Sequence, residues 1–194
     1  AEQSPLVVVI AGPNGAGKST TAPRLLQDAL AVDEFVNADA IAAGISAFRP
    51  ESVALAAGRM MLTRIRLLAK AHRSIAFETT LASRSFAPWL RGLREDGYRV
   101  HVVFLSLPNA DMAVARVAER VRSGGHDVPE EVVRRRYRSG LRNLFDMYSG
   151  IADAWQLFDN SSPGPPRLIA SGGGAITPSI LDDHAWHALK EQLA

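Results

Sequence analysis

Two kinds of hydrophobic run alternate along the chain. Leu6-Val7-Val8-Val9-Ile10 is continuous, apolar and rich in β-branched residues, which predicts a strand buried on both faces, as in a parallel sheet. Lys18 to Leu30 has helical spacing, and Phe35-Val36 reads as a short strand ending near Asn37. Asp39 is expected to cap a short helix through Ile41. Pro50 opens a second helical pattern, with Leu55, Met61, Leu62, Ile65 and Leu68 as its apolar stripe. Ser74-Ile75-Ala76-Phe77 predicts a strand with Glu78 at its C-terminal end. Phe86 to Leu93 reads as a helix stopped by Gly97.

His101 to Leu105 is the clearest later strand, and a helix is expected from Asn109 or Ala110 to Arg122. Ser123-Gly124-Gly125-His126 breaks the pattern. Pro129 then starts a helix running towards Tyr148, with Glu130 and Glu131 favourable in its first turn. Ala154 to Phe158 and Arg167 to Ala170 are expected as edge strands, joined by a turn-rich link from Asn160 to Pro166. Thr177-Pro178 is expected to start a terminal helix with Thr177 as its cap.

This rhythm of strand and helix predicts an α/β fold, a mostly parallel sheet flanked by helices. Right-handed crossovers would bring the strand ends to one edge, where ligands of such sheets bind. Gly12 to Ser19, Asn37 to Asp39 and Glu78 to Thr80 would all lie there. At 194 residues the chain is expected to form one domain, residues 1–194.

Composition changes little. Hydrophobic residues make up 47% and charged residues 22%, ordinary globular values. Cysteine is absent, which rules out disulfides and thiolate metal sites and fits a reducing compartment, so a cytoplasmic location is expected. The run Leu6 to Ala11 is far too short to span a bilayer and has no basic region before it, so neither a membrane span nor a signal peptide is expected. The net charge of +2 says little about partners. Arginines, however, cluster between Arg116 and Arg142 without interleaved aromatics, a pattern that neutralises phosphate better than it stacks on single strands, so nucleic acid is not the expected partner.

The chemistry enters at Gly12-Pro13-Asn14-Gly15-Ala16-Gly17-Lys18-Ser19, which matches G-x-x-x-x-G-K-[ST] between a predicted strand and a predicted helix. The glycines let backbone amides turn inward around phosphate oxygens, and the helix N-terminus adds a favourable field. Lys18 is expected on the β- and γ-phosphates, Ser19 on Mg²⁺, and Thr20 at the helix start. A P-loop NTPase or kinase fold follows, with ATP and Mg²⁺ as the expected cofactors and GTP as an alternative.

Two classes of acceptor remain open, water or an organic hydroxyl. Asp39 lies just past the second strand, where a carboxylate can take the proton of a substrate hydroxyl or help to orient Mg²⁺. Glu78, Thr79 and Thr80 put a carboxylate and two hydroxyls at a strand end facing the same cleft. VVFLSLPN around Leu105 carries no acid at its end, which weakens a motor or switch reading. Residues 116–142 would form an arginine-rich helical lid over the phosphates, with His126 in its turn. Sequence leaves open which arginines point inward. A nucleotide-driven enzyme acting on nucleic acid and a catalytically silent nucleotide-binding module stay as alternatives.

Taken in order, the phosphate loop with Thr20, Asn37-Ala38-Asp39, Phe77-Glu78-Thr79-Thr80-Leu81 and Gly124 to Glu131 resemble the zeta-toxin family. So do Arg135-Arg136-Tyr137, Leu141-Arg142-Asn143-Leu144 and Asp159-Asn160-Ser161, and the compact length resembles the chromosomally encoded branch. The resemblance implies an ATP- or GTP-dependent kinase, with the 3′-hydroxyl of UDP-N-acetylglucosamine as the acceptor of well-known members. It implies Asp39 as general base, Glu78 and Thr80 as sugar contacts, and Arg120 and Arg136 as contacts to the transferring phosphate, with Arg135 in competing register. It further implies Asn160 near the nucleotide base and a small antitoxin partner.

Overall fold

A computed structural model describes residues 4–30, 32–174 and 176–193. Among these residues seven strands form one sheet: β1 (Leu6–Ala11), β2 (Glu34–Val36), β3 (Ile75–Thr79), β4 (Arg99–Ser106), β5 (Ala154–Asp159), β6 (Arg167–Gly172) and β7 (Ser179–Ile180). Their spatial order is β2-β3-β1-β4-β5-β6-β7. The first five are mutually parallel, and β6 and β7 join antiparallel. The mostly parallel sheet is therefore as expected. Val7 to Ala11 are all 0% exposed because β1 is central and covered on both faces, which is why its sequence is apolar without alternation.

Among the described residues, eight α-helices connect and flank the strands: α1 (Lys18–Arg24), α2 (Ala38–Ile45), α3 (Ala54–Lys70), α4 (Phe86–Glu95), α5 (Ala110–Arg122), α6 (Glu130–Asn143), α7 (Ser149–Ile151) and α8 (Asp183–Glu191). Among the described residues, no helix is long and apolar enough to cross a membrane.

Several expectations are corrected. The helix predicted over Lys18 to Leu30 holds α-geometry only to Arg24 and continues as a π-helical turn, Leu25–Leu30. Pro23 has no amide hydrogen to give to Ser19's carbonyl, so the regular ladder is interrupted there. Asp39 does not cap α2. Asn37 does, its Oδ1 accepting from the amides of Asp39 at 2.7 Å and Ala40 at 3.2 Å. Leu55 is 72% exposed, and α3 buries Ala57, Met61, Ile65, Leu68 and Ala69 instead. β5 and β6 are interior strands, because β7 pairs beyond β6. Thr177 starts no helix. Ser179–Ile180 is extended, and α8 begins later with Asp182 as its cap, accepting from Ala185 N at 2.9 Å.

The topology gathers the chemistry. The strand order turns away in both directions from β1, with β3 on one side and β4 on the other. Residues after β1, β2, β3, β4 and β5 therefore meet at one edge of the sheet, the usual place for a ligand in such folds.

Candidate active site

The loop from Gly12 to Gly17 leaves the central strand and turns directly into α1. A β-carbon on Gly12 would lie 2.2 Å from the carbonyl oxygen of Leu105, so only glycine fits against β4 here. Gly17 is the residue before α1 and is left-handed, with φ of 77°. Lys18 is 7% exposed. Its Nζ donates to Pro13 O at 2.9 Å and lies 3.7 Å from Glu78 Oε1. Burial holds this ammonium below the usual lysine range, while Glu78 and Asp39 pull the other way.

Glu78 is the hub of the site. Ser19 Oγ donates to Glu78 Oε2 at 2.7 Å, and Asn37 Nδ2 donates to the same oxygen at 2.7 Å. Asn37 Nδ2 also approaches Ser19 Oγ at 3.3 Å. Asn37 thus caps α2 with one end of its amide and holds Glu78 with the other. Asp39 is exposed in the first turn of α2, and its charge acts on both Lys18 and Arg136. At the end of β4, where a switch NTPase would carry an acid, Ser106 is 2% exposed and donates to Phe158 O at 2.8 Å.

Three arginines of the basic segment turn inward. Arg116 Nη1 donates to Asn160 O at 2.8 Å, and its Nη2 donates to Ser161 O at 2.7 Å. Asn160 Nδ2 in turn donates to Ala16 O at 2.7 Å. Arg116 and Asn160 together brace the phosphate loop from behind. Arg120 Nη2 donates to His126 O at 2.8 Å, and its buried Nε has no partner among the described residues. Arg136 Nη1 lies 3.3 Å from Asn14 Oδ1, and burial lowers its pKa. Arg135 is exposed, so of the two neighbours Arg136 is the one that reaches the phosphate loop. Other basic residues face outward: Arg134 pairs with Asp111 and Glu130, and Arg122 with Glu119.

A cleft of 420 Å³ unites Asn14, Gly15, Gly17, Lys18, Ser19, Thr20, Asp39, Glu78, Arg116 and Arg120, with Glu119 and Ser123 at its rim. Gly12 and Ala16 are buried beneath the loop, and Thr80 is half-buried on the β3 side, outside the lining. Thr20 also borders a second, more apolar cleft of 580 Å³ under Gly164, Pro165 and Pro166. Sequence reasoning placed Asn37 only at the ligand edge and Arg116 only within the basic lid segment, and gave neither the bracing contacts seen here. The signal for Asn37 was available, since a polar residue directly after a strand and two before a helical acid is a cap. Arg116 had none, because its partners are backbone carbonyls 44 and 45 residues away.

Removing the Arg116 side chain leaves the Asn160 and Ser161 carbonyls without their charged donor. Arg116→Ala is expected to weaken ATP binding about tenfold with little loss of helix content, measured by calorimetry and circular dichroism.

Residues 7–142 match the AAA domain family designated AAA_33. The chain belongs to this family. An uncharacterized protein of Haemophilus influenzae is 32% identical over 126 residues, which cover 65% of this chain and 88% of that relative. Among solved structures, one chain of the AvrRxo1-ORF1:-ORF2 crystal structure with ATP aligns over 96% of this chain with a TM-score of 0.69 and 16% identity. This chain spans only 63% of that one. The PezAT chromosomal toxin-antitoxin system of Streptococcus pneumoniae aligns over 100% of this chain and 87% of its own, with a TM-score of 0.61 and 12% identity. A putative kinase from Chloroflexus aurantiacus aligns over 68% of this chain and 79% of its own, with a TM-score of 0.55 and 17% identity. At these identities the likeness is one of fold. It gives this chain a P-loop kinase-like fold.

Proposed function

We propose that this cleft transfers the γ-phosphoryl group of ATP to a hydroxyl of a small molecule. The observation that carries the reading is the place of Asp39. It stands on the first turn of α2, lines the same cleft as the phosphate loop, and shares its field with Lys18 and Arg136. A carboxylate so placed accepts the proton of the attacking hydroxyl. The hydroxyl oxygen bonds to the γ-phosphorus as the bond from that phosphorus to the β,γ-bridging oxygen breaks, and ADP leaves. Lys18 binds the phosphate oxygens. Arg120, with its unpartnered Nε, and Arg136, reaching Asn14, oppose the charge that develops on the transferring group. α5 and α6 act as the lid that excludes water, with His126 in their turn.

The donor set fits Mg²⁺. Among the described residues no group of three or more His, Cys, Asp or Glu could hold a metal by itself. The oxygens of Ser19 and Glu78 do lie together beside the phosphate loop. Mg²⁺ is commonly held by one or two protein oxygens together with substrate phosphates. When bound, it would neutralise the β- and γ-oxygens. The apolar cleft next to Thr20 receives the base. Pro165 and Pro166 form one wall of that cleft, and GTP stays an alternative to ATP as donor.

The acceptor is a sugar or nucleotide sugar, with the 3′-hydroxyl of UDP-N-acetylglucosamine as the leading one; the zeta-toxin resemblance implies Glu78 and Thr80 as its contacts, Glu78 from within the cleft and Thr80 from beside it. The zeta-toxin resemblance supports this choice, and the PezAT likeness agrees in fold. Toxin activity checked by a small antitoxin protein belongs to the same reading. Growth arrest on expression, lost with Lys18→Ala, supports toxicity, while equal arrest by both proteins contradicts it. Incubation with ATP, Mg²⁺ and UDP-N-acetylglucosamine should yield ADP and a monophosphorylated sugar nucleotide by mass spectrometry. An unphosphorylated pool beside accumulating ADP would refute the acceptor.

A further inference from the structure

The loop after β3 is held by α6 through contacts that the phosphate chemistry does not use. Leu81 is fully buried and has φ of 59°, although it is not glycine. A left-handed leucine is strained backbone, so its surroundings must fix it. Asn143 is only 4% exposed. Its Nδ2 donates to Leu81 O at 2.9 Å, and its Oδ1 accepts from Arg84 Nε at 3.0 Å. Both ends of one buried amide are spent on a single loop. Thr79 Oγ1 accepts from Leu81 N at 3.1 Å, and the Tyr148 hydroxyl donates to Ser83 O at 2.7 Å. Gly140 presses on the same loop, since a β-carbon there would stand 2.3 Å from Thr80 O.

Arg136, Gly140 and Asn143 are spaced by four and three residues, so they share one face of α6. That face touches the phosphate loop through Arg136 and Asn14, and the β3 loop through Gly140 and Asn143. We propose that Asn143 is a positioning residue. It fixes the left-handed turn at Leu81, and through it sets Thr79, Thr80 and the end of β3 that carries Glu78 in register with Arg136. The acceptor side and the phosphate side of the cleft then move together with α6. This role rests on the kinase reading of the cleft, but the clamp itself does not.

Two variants reach the loop independently. Asn143→Asp keeps the size and the acceptor towards Arg84 but removes the donor to Leu81. Gly140→Ala pushes Thr80 from the same helix face. Arg138→Ala, an exposed position on α6, serves as control. Amide hydrogen exchange of residues 79–83 should rise about tenfold or more in both variants, with residues 12–19 unchanged, because one buried hydrogen bond is lost or displaced. The Kd for MgATP should stay within about twofold. Transfer to a mixture of UDP-N-acetylglucosamine, N-acetylglucosamine and glucose should lose about tenfold or more in kcat, with KM for ATP unchanged. The control should match the unaltered protein throughout. Unchanged exchange in residues 79–83 in both variants would overturn the clamp. Raised exchange with an unaltered kcat would overturn the positioning role. If the unaltered protein phosphorylates none of the three compounds, the acceptor reading fails instead, and the exchange result alone decides the clamp.

Discussion

Asp39→Asn is expected to slow phosphoryl transfer by about 10²–10⁴-fold while the Kd for MgATP changes by no more than about twofold. Asparagine keeps the volume and the place in the first turn of α2, where Asn37 rather than Asp39 provides the cap, so the helix loses nothing structural. What it loses is the proton acceptor. Because Asp39 is exposed in the cleft and has no role in bracing the phosphate loop, nucleotide binding has little reason to change. Removal of its negative charge from beside Lys18 and Arg136 would, if anything, strengthen the hold on a triphosphate. A calorimetric Kd combined with single-turnover rates separates the two effects. Near-normal turnover in Asp39→Asn would remove the base from the mechanism and leave Asp39 as a surface acid.

Lys18→Met is expected to lose at least about 10³-fold in transfer and to weaken ATP binding by about 10–100-fold. The side chain is buried at the centre of the loop, between Pro13 O and Glu78. Methionine preserves the aliphatic stem, so the packing beneath the loop is kept and the change reads the charge. The charge has its own titration signature. Burial already holds the ammonium below the ordinary 10.5. In the free protein it therefore begins to lose its proton at a lower pH than an exposed lysine, and ATP affinity should fall with rising pH in that range. The Lys18→Met protein should show no such fall. Equal slopes in the two proteins would assign the pH dependence elsewhere.

The parts of this fold that local sequence can specify were the parts legible in it. β1, the phosphate loop and α1 are consecutive, and each constrains the next: an apolar β-branched run, glycines at the turn, then helical spacing. β4 was legible for the same reason, as an unbroken run from His101 to Leu105. The carboxylates Asp39 and Glu78 could be placed because strand ends in a parallel sheet share one edge. What escaped depends on partners far along the chain. Arg134, Arg135 and Arg136 stand about 100° apart on one helix, so composition could not choose among them. Tertiary packing chose, aiming Arg136 at Asn14 and leaving Arg134 to Asp111 and Glu130.

The C-terminal strands were misread for a related reason. Arg167 to Ala170 is short and polar at its start, which looks like an edge. A two-residue strand at Ser179–Ile180, preceded by Pro178, carries too little pattern to reveal that another strand lies outside it. The pair Thr177-Pro178 imitates a cap and first helical residue, while the true cap, Asp182, stands three residues before its amide partner Ala185. Asn143 shows the same limit from the functional side. Its sequence neighbours mark only a helix end, and its work is done across 62 residues at Leu81.

Phosphoryl transfer to an organic hydroxyl is tested most directly by following the phosphoryl group itself. The protein is incubated with γ-¹⁸O-labelled ATP and Mg²⁺ against a panel of free sugars and UDP-sugars, and the products are read by mass spectrometry. One organic product is expected to gain a single labelled phosphoryl group in equal amount to the ADP formed, and to disappear with Asp39→Asn. ADP formed together with labelled inorganic phosphate, and no phosphorylated sugar or nucleotide sugar anywhere in the panel, would contradict it.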